Sequence, residues 1–269
     1  QSELPMLLVT GATGFLGRSV LGALLQRPPE NREVIRVLVR DQRAVPSWWD
    51  VSIVEMDILD SAAVNRAVRG CDRILHLAGL THSSSSVQYH AVNVEGTWIL
   101  VEAARRQGVG RFVFASTRAI GPAGGEYSVS KRMAEELIAT SMKDFVIVRL
   151  AEVYGGQGGR GFAEIINWMR HHRWVPVIGT GNYTLAPLHV DDAAAAMISA
   201  LERGVAGQTY TVTGPESFTY IQLVDTIARA LHVQCVKLHV PIWLAATGAR
   251  IAARRFPGRI ACDQIARLV

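Results

Sequence analysis

The sequence predicts an α/β fold in which a doubly wound parallel sheet carries helices on both faces. Short, nearly continuous apolar runs rich in β-branched residues alternate with stretches whose apolar residues recur at helical spacing. The first run ends in a glycine-rich turn. Parallel neighbours require crossover connections, and helices that cover both faces of a sheet keep its strands apolar throughout. The alternation therefore indicates a parallel sheet buried between two helical layers.

The elements of this sheet follow one another along the first half of the chain. The first strand is predicted at residues 6–10, and a helix follows from Phe15 to Leu25. Five more apolar runs predict strands at 34–39, 53–56, 74–77, 112–115 and 145–150. Helical spacing predicts helices at 62–68, 87–106 and 127–141. We assign residues 1–154 to this core domain.

The pattern changes after Tyr154. Residues 155–161 are dense in glycine and predict a loop. Two glycine-bounded strands, predicted at 174–178 and 208–212, alternate with helices predicted at 191–202 and 220–231. We predict that residues 155–269 form mainly a smaller C-terminal α/β lobe that binds substrate, with elements that return to the core.

Length and composition exclude several classes of protein. The 269 residues are enough to bury a core, and 49% hydrophobic with 19% charged residues excludes a disordered chain. The net charge of +5 is not concentrated in blocks and accompanies no nucleic-acid-binding motif, so no nucleic-acid partner is expected. Neither a membrane span nor a metal site is predicted. Cys71, Cys235 and Cys262 are too widely spaced for a disulfide framework, which favours the cytoplasm.

The glycine-rich turn after the first strand carries the first functional signal. Gly11, Gly14 and Gly17 join a strand to a helix, as in dinucleotide-binding folds. In that pattern the first glycine permits the tight turn, the second lets backbone N–H groups approach a pyrophosphate, and the third lets helix pack on strand. The helix N-terminus adds a partial positive charge. We predict cofactor contacts at Gly11, Thr13, Gly14, Phe15, Leu16 and Gly17.

The end of the second predicted strand bears on the choice of cofactor. An acidic residue at this point binds the adenosine ribose of NAD, whereas an arginine suits the 2′-phosphate of NADP. Arg40 comes first after the strand, with Asp41 beside it and Arg43 close enough to assist. We therefore predict NADP as the preferred cofactor and keep NAD as the alternative.

Tyr127 and Lys131 form the second functional signal. Four residues apart on a predicted helix, they lie on one face. A nearby ammonium favours phenolate over phenol and so prepares a tyrosine to exchange a proton with a carbonyl or alcohol. An exposed pair without function has the same spacing, so the surrounding motifs decide between the two readings.

Taken together, these motifs resemble the extended short-chain dehydrogenase/reductase superfamily, which includes NAD(P)-dependent epimerases, dehydratases and 3β-hydroxysteroid-type dehydrogenases. The resemblance covers most of the chain and implies a Rossmann-like fold. The matching segments, in the same order as in the superfamily, are Thr10–Gly17, Asp57–Ile58, Leu77–Gly79, Asn93–Thr97, Phe112–Thr117, Tyr127–Lys131, Arg149–Gly155 and His189–Asp192.

The resemblance implies a role for individual residues. Tyr127 would be the acid/base, and Lys131 would favour its phenolate and hold the nicotinamide ribose. Thr117 would hydrogen-bond the reacting oxygen, with Ser116 as the alternative, because strand alternation turns only one of the two hydroxyls towards the site. Asn93 would support the active-site helix or a water relay, unless its amide is simply satisfied locally. Further cofactor contacts are implied at Asp57, Ile58, Leu77, Ala78 and Gly79.

The substrate region departs from the nucleotide-sugar members of the superfamily. The segment between Thr117 and Tyr127 is short, and residues 183–188 contain no basic side chain where those members place an arginine, at the position of Leu185. An anion contact displaced to Arg160 or Arg173 stays open. These departures favour a less polar carbonyl or alcohol substrate. The substrate contacts that we predict are Leu80, Thr81, His82, Thr117 and Leu185, with Trp168 as further pocket lining.

Three functions follow from these residues. The first is an NAD(P)-dependent oxidoreductase that transfers hydride to or from a carbonyl or alcohol. The alternative is an NAD(P)-dependent nucleotide-sugar epimerase or dehydratase, and a second alternative is a non-catalytic NAD(P)-binding protein. The superfamily implies a homodimer built on the helices at 87–106 and 127–141. From Pro241 onwards we expect a helix that closes over the substrate lobe, with attachment to a membrane surface as the alternative.

Overall fold

The computed structural model describes residues 5–28, 30, 33–83, 85–121, 124–156 and 161–255, the last seven by their backbone alone. The strands are β1 (Met6–Thr10), β2 (Val34–Val39), β3 (Ser52–Glu55), β4 (Arg73–His76), β5 (Arg111–Thr117), β6 (Phe145–Leu150), β7 (Val153–Tyr154), β8 (Trp174–Ile178), β9 (Thr184–Leu185), β10 (Leu188–His189), β11 (Gln208–Val212), β12 (Phe218–Thr219) and β13 (Val236–Val240). The helices are α1 (Phe15–Leu25), α2 (Ser61–Val68), α3 (Ser86–Tyr89), α4 (Gly96–Gln107), α5 (Gly125–Ser141), α6 (Phe162–His171), α7 (Val190–Arg203), α8 (Tyr220–Leu231) and α9 (Ile242–Arg255). A 3₁₀ turn spans Gln42–Ala44, and a π-helix spans His90–Glu95.

A seven-stranded, all-parallel sheet organises the molecule, in the order β11-β6-β5-β4-β1-β2-β3. Helices cover both faces. Leu7 and Val9 of β1 belong to the core cluster that contains α1 and α7, whereas Leu8 belongs to the cluster that contains α2, α4 and α5. The predicted doubly wound α/β fold is confirmed. The strand order reverses at β1, between β2 and β4, which is where ligands bind in open sheets of this kind.

The second half of the chain contributes to both parts of the molecule. β11 pairs with β6 and extends the large sheet, and α7 packs beside α1. The remaining strands form small two-stranded sheets, in which β13 pairs with β8, β12 with β9 and β10 with β7. α6 and α8 share a separate apolar cluster with β8, around Met169, Val177 and Leu223. The division at residue 154 stays a prediction, although residues 190–212 do return to the core.

The predicted continuous helix at 87–106 is interrupted. The π-helix between α3 and α4 contains a wide turn in which the Gly96 N–H donates to the Ala91 carbonyl. The Thr97 hydroxyl donates to the Asn93 carbonyl at 2.7 Å, which provides that carbonyl with a side-chain partner. Gly96 also permits close packing, because a Cβ there would lie 2.8 Å from Ile58. Single π-turns of this kind recur at functional sites.

Candidate active site and cofactor cleft

The glycine turn leaves no room for side chains between β1 and the loop after β4. Gly11 adopts a φ of 72°, and a Cβ there would lie 2.5 Å from the Ala78 nitrogen. A Cβ on Gly17 would lie 2.2 Å from the Gly11 carbonyl oxygen. α1 starts after Gly14 with no side-chain cap and no acidic residue in its first turn, so its N–H groups and positive dipole end are available to an anion. This turn therefore fits the pyrophosphate of a dinucleotide.

The rest of the predicted glycine-turn segment frames this helix start. Thr13 accepts a hydrogen bond from Arg18 Nε through its carbonyl at 3.1 Å. Phe15 and Leu16 are half-buried in the first turn of α1. The backbone, rather than any charged side chain, forms this part of the cleft.

After β2, Arg40 is exposed to solvent, and the carboxylate of the neighbouring Asp41 is paired with Arg43. Arg40 is exposed directly after β2. Asp41 accepts hydrogen bonds from Arg43 Nε at 2.9 Å and from its Nη2 at 3.0 Å, and these contacts hold the pKa of the Asp41 carboxyl below its usual range. The Arg43 guanidinium thus binds Asp41 and does not lie free beside Arg40 to bind a 2′-phosphate with it.

The segment after β3 places Asp57 and Ile58 at the same edge of the sheet. The Asp57 carboxylate accepts a hydrogen bond from the Leu59 N–H at 3.0 Å, which shapes the turn. Ile58 is buried against Gly96 at the start of α4. These two predicted cofactor contacts therefore lie between β3 and the start of α4.

Asn93 connects the loop after β4 to α5. Its side-chain oxygen accepts from the Leu80 N–H at 2.7 Å, and its Nδ2 donates to the Leu80 carbonyl at 3.0 Å and to Ser130 Oγ at 2.9 Å. Ser130 Oγ in turn donates to the Tyr127 carbonyl at 2.8 Å. The amide is thus satisfied by residues distant in sequence, which excludes the alternative of purely local satisfaction.

His76 lies at the centre of a buried hydrogen-bond chain between the glycine turn and the π-helix. The Thr97 hydroxyl already donates to the Asn93 carbonyl, so it accepts from His76 Nε2 at 3.0 Å. His76 Nδ1 then accepts from the Thr10 hydroxyl at 2.6 Å, and that hydroxyl accepts from the Ala78 N–H at 3.2 Å. Burial lowers the pKa of His76 to about 3, so the ring is neutral.

Lys131 is buried one helical turn after Tyr127 on α5. Its Nζ donates to the Ala115 carbonyl at 2.6 Å and lies 3.9 Å from the centre of the Phe114 ring. Burial lowers the pKa of Lys131 to about 7. The structure brings Gly79 to the same place, because a Cβ there would lie 3.6 Å from Lys131 Nζ and 3.4 Å from Asn93 Oδ1. Both Tyr127 and Lys131 are less than one-tenth exposed, so they are not a solvated surface pair.

The two adjacent hydroxyls at the end of β5 have different surroundings. Ser116 Oγ is buried and donates to Glu135 Oε1 at 2.5 Å, and Glu135 is held by Arg149 Nη2 at 2.6 Å. Thr117 is half-buried and accepts from the Ala119 N–H at 3.1 Å. Because Ser116 is committed to Glu135, Thr117 is the hydroxyl that remains for a ligand.

The predicted substrate residues do not form one group. Leu80 is fixed by Asn93 in the loop after β4, whose base is lined by Leu77 and Ala78, two of the predicted cofactor contacts. Thr81 Oγ1 and His82 Nδ1 lie 2.8 Å apart farther along this loop. Leu185, by contrast, is buried in the apolar cluster of the C-terminal lobe.

Three further residues were named for the substrate lobe, and each has a different outcome. Trp168 stacks on His172 with ring centres 3.8 Å apart and donates to the Trp174 carbonyl. Arg160 lies outside the described residues, and Arg173 is exposed beside Trp174.

Sequence reasoning missed three residues of this centre. They are His76, Ser130 and Glu135, all buried and all hydrogen-bonded to a predicted site residue or its neighbour. A signal was available for each. A histidine inside an apolar strand needs polar partners, and Ser130 and Glu135 lie on the helix turn that carries Lys131.

The fold and this centre define an enzyme class with a dinucleotide turn, a buried lysine one turn from a tyrosine, and a supporting asparagine. The chain belongs to the NAD-dependent epimerase/dehydratase family, whose model matches residues 7–213. The predicted resemblance to the extended short-chain dehydrogenase/reductase superfamily is thereby confirmed. The members of this family are NAD-dependent enzymes.

Similar proteins include reductases and a dehydratase. A ceramide reductase of Caulobacter vibrioides is 32% identical over 206 residues, which cover 74% of this chain and 62% of that protein. The 4-hydroxy-2-methyl-3-oxo-4-farnesyl-3,4-dihydroquinoline-1-oxide ketoreductase of Stigmatella aurantiaca is 27% identical, covering 86% of this chain and 74% of that protein. A structure of dTDP-glucose 4,6-dehydratase from Streptomyces venezuelae with NAD bound shares the fold with a TM-score of 0.76 at 23% identity, covering 87% of this chain and 84% of that one.

Two features of the described residues bear on partners. No helix among them is long and apolar enough to cross a membrane. Within the same residues, no three His, Cys, Asp or Glu side chains come together as metal ligands would.

Proposed function

We propose that this protein is an NAD(P)-dependent ketoreductase or alcohol dehydrogenase that acts on a substrate of low polarity. The observation that carries the proposal is the buried Lys131 ammonium, one helical turn from Tyr127 and next to Gly79 and Asn93. Lys131 forms no ion pair with a carboxylate of the described residues. A buried cation without a counter-ion is costly, and such groups concentrate at functional sites.

In this proposal each residue has a defined task. The bound dinucleotide supplies the two-electron redox chemistry. Tyr127 exchanges a proton with the substrate oxygen, and Lys131 favours the phenolate form and binds the ribose. Thr117 donates a hydrogen bond to the same oxygen. Asn93 fixes α5 through Ser130, and thereby the positions of Tyr127 and Lys131.

The rest of the cleft is assigned to the dinucleotide. The glycine turn would hold the pyrophosphate, Asp57 and Ile58 would border the adenine, and Leu77 to Gly79 would border the nicotinamide half. The close approach of Gly11 to Ala78 supports one continuous binding surface across β1 and β4.

Two observations support a substrate of low polarity: the residues before β10, and the names of two similar proteins. Residues 183–188 carry no cation that could bind a substrate diphosphate. The names of the relatives include a ceramide reductase and a ketoreductase whose substrate bears a farnesyl chain. We expect KM to fall as the alkyl chain of a test ketone lengthens, because each buried methylene contributes about 0.8 kcal/mol.

The alternative is a nucleotide-sugar epimerase or dehydratase, which the shared fold with dTDP-glucose 4,6-dehydratase keeps open. The two differ in cofactor stoichiometry. A ketoreductase consumes one reduced cofactor per turnover, visible as a loss of absorbance. Turnover of a nucleotide sugar without net absorbance change would instead establish the alternative.

Tyr127→Phe tests whether the site is catalytic at all. Loss of the acid/base should lower kcat about a thousandfold. Tyr210→Phe, on β11, is the matched control and should leave kcat unchanged. If Tyr127→Phe kept full activity, the non-catalytic alternative would replace this proposal.

We further propose NADP as the preferred cofactor, because Arg40 is exposed at the tip of β2 and Asp41 is neutralised by Arg43. Arg40→Ala should raise KM for NADP about tenfold or more, through loss of a charge-assisted bond, and change KM for NAD little. Arg66→Ala serves as the control. Equal losses for both cofactors would contradict the preference.

We also propose a homodimer in the cytoplasm. Val87, Trp98 and Val129, on α3, α4 and α5, are 73%, 51% and 41% exposed and offer an apolar contact surface. Trp98→Glu should convert the dimer to a monomer in light scattering, and a monomeric unmodified chain would exclude the dimer. Cys71 and Cys235 form no disulfide with each other or with any other described residue, which supports a reducing compartment, and cell fractionation tests this location.

A further inference from the structure

The loop after β4 is held at two points by side chains from other parts of the chain. At the first point the Ala78 N–H donates to Thr10 Oγ1 at 3.2 Å. At the second, Asn93 Oδ1 accepts from the Leu80 N–H at 2.7 Å, and Asn93 Nδ2 donates to the Leu80 carbonyl at 3.0 Å. Gly79 lies between the two points and is exposed. The backbone on both sides of Gly79 is therefore fixed.

The two residues that hold this loop are connected to each other through His76 and Thr97. The Thr10 hydroxyl donates to His76 Nδ1 at 2.6 Å, and His76 Nε2 donates to Thr97 Oγ1 at 3.0 Å. The Thr97 hydroxyl donates to the Asn93 carbonyl at 2.7 Å. All four residues are at most 2% exposed. These bonds begin and end in the same loop, and we call the closed set the β4-loop network.

The donor and acceptor roles in the β4-loop network follow from its two ends. The Ala78 N–H only donates, and the Asn93 carbonyl only accepts. Each hydroxyl between them therefore accepts from one neighbour and donates to the next, so His76 carries its proton on Nε2 and accepts at Nδ1. The amide of a glutamine also combines a donor with an acceptor, which makes glutamine the conservative replacement for His76.

We propose that His76 is a positioning residue, which fixes the loop after β4 for the reaction through Thr10 and Thr97. A histidine that served only the core would need one partner for each ring nitrogen. Here the two partners lead to the two ends of one loop, on either side of its exposed glycine. His76 therefore fixes a segment that it does not contact through its own side chain.

The fixed segment borders the buried ammonium of the candidate active site. A Cβ on Gly79 would lie 3.6 Å from Lys131 Nζ and 3.4 Å from Asn93 Oδ1. The inference rests on the proposed function, in which Lys131 binds the ribose and this loop borders the nicotinamide half of the dinucleotide. Small displacements of reacting groups are costly in rate, whereas the glycine turn would still hold the pyrophosphate. Damage to the network should therefore lower kcat more than cofactor affinity.

Thr97→Val tests whether the network holds the loop, because Thr97 lies on α4 and outside the loop. Amide hydrogen exchange, followed by NMR, should become about fivefold faster at Ala78 and Leu80. Thr140→Val is the matched control, since the Thr140 hydroxyl also donates to the carbonyl four residues earlier, at 2.8 Å on an exposed turn of α5. It should leave exchange at both amides unchanged. Thr97→Ser restores the hydroxyl and should recover most of the slow exchange.

Kinetics of the same variants test whether the held loop serves the reaction. Thr97→Val and His76→Leu should each lower kcat about tenfold, while the cofactor dissociation constant, measured by fluorescence titration, should change less than about threefold. His76→Gln should retain several times the kcat of His76→Leu, and Thr97→Ser several times that of Thr97→Val. If a buried variant does not fold, His76→Gln takes its place, with smaller changes expected in exchange and in kcat.

Two outcomes would overturn the proposal and leave the proposed function intact. The first is unchanged exchange at Leu80 in Thr97→Val, because the network would then not hold the loop. The second is faster exchange with kcat unchanged, because the network would then serve the fold alone. Absence of turnover by the unmodified protein is a different result, since it would contradict the proposed function and the positioning role together.

Discussion

Lys131 and Glu135 lie one turn apart on α5, and both are buried charged residues, 4% and 6% exposed. Glu135 is fully compensated, because Arg149 binds it through Nε at 3.0 Å and Nη2 at 2.6 Å, and Ser116 donates a further hydrogen bond. Among the described residues, Lys131 Nζ contacts the Ala115 carbonyl and the Phe114 ring, and it forms no ion pair, although Glu135 attracts its charge at longer range.

The contrast separates a charge that serves the fold from one that serves a ligand. Breaking a compensated buried pair strongly destabilises a protein. A buried cation without a counter-ion lowers stability at every pH at which the unfolded chain carries that charge. Burial accordingly lowers the pKa of Lys131 to about 7. The same helix therefore anchors itself to β6 through Glu135 and holds Lys131 ready for a partner that arrives with the cofactor or substrate.

Lys131→Met tests this difference with the largest expected effect. Activity should fall about a thousandfold, because ribose binding and phenolate stabilisation are both lost. The free energy of unfolding at pH 7 should nevertheless rise by about 1–3 kcal/mol. The folded pKa lies below the unfolded value, so the cost of Lys131 is present at neutral pH and disappears as the pH rises above about 10.5.

The advantage of Lys131→Met should thus shrink between pH 7 and pH 10 in denaturant titrations. Lys143→Met, at an exposed position, is the control and should change neither activity nor stability. A Lys131→Met protein that is active, or that is destabilised at pH 7, would contradict the interpretation of Lys131 as an uncompensated functional charge.

Glu135→Gln should act in the opposite sense. It leaves Arg149 without its counter-ion and should lower the free energy of unfolding by about 3 kcal/mol. Any loss of activity should be the smaller consequence and should follow the displacement of α5. Glu136→Gln is the neighbouring control, since Glu136 is exposed. Should Glu135→Gln abolish turnover while stability stays unchanged, Glu135 would belong to the catalytic group instead.

The sequence predicts best those features that depend on residues adjacent in the chain. β1, β2 and β6 have the predicted bounds, because an apolar run closed by turn residues is a local signal. The glycine turn is local as well, since the φ of Gly11 and the start of α1 depend on a few adjacent residues. These features are what position the cofactor cleft.

The features that the sequence left undetermined depend on distant partners. The π-helix at Asn93 is tied to Leu80 and Ser130, which are 13 and 37 residues away, and helical periodicity contains no trace of either contact. Leu185, whose contact with substrate stays a prediction, packs in an apolar cluster with Val177 and Leu223, and its strand β9 pairs with β12, more than thirty residues away. Pairings of this kind become visible only in three dimensions.

His76 is a third kind of buried titratable group, because it stays neutral. Its replacement should have the smallest of the three expected effects. Burial lowers the pKa of His76 to about 3 from an ordinary value of 6.5. Between these two pH values the unfolded chain binds a proton at His76 and the folded chain does not. Stability is therefore full above pH 6.5 and falls on acidification, by about 2 kcal/mol at pH 5.

His76→Gln removes this titration while keeping a polar group between Thr10 and Thr97. Its free energy of unfolding at pH 7 should be lower than that of the unmodified protein, because one hydrogen bond of the chain is lost or weakened. Between pH 7 and pH 5, however, its stability should decline about 2 kcal/mol less. Parallel denaturant titrations at the two pH values measure this difference. Identical pH dependence in both proteins would mean that His76 takes up its proton in the folded state, and that the hydrogen-bond chain from Ala78 to Asn93 does not depend on a neutral ring.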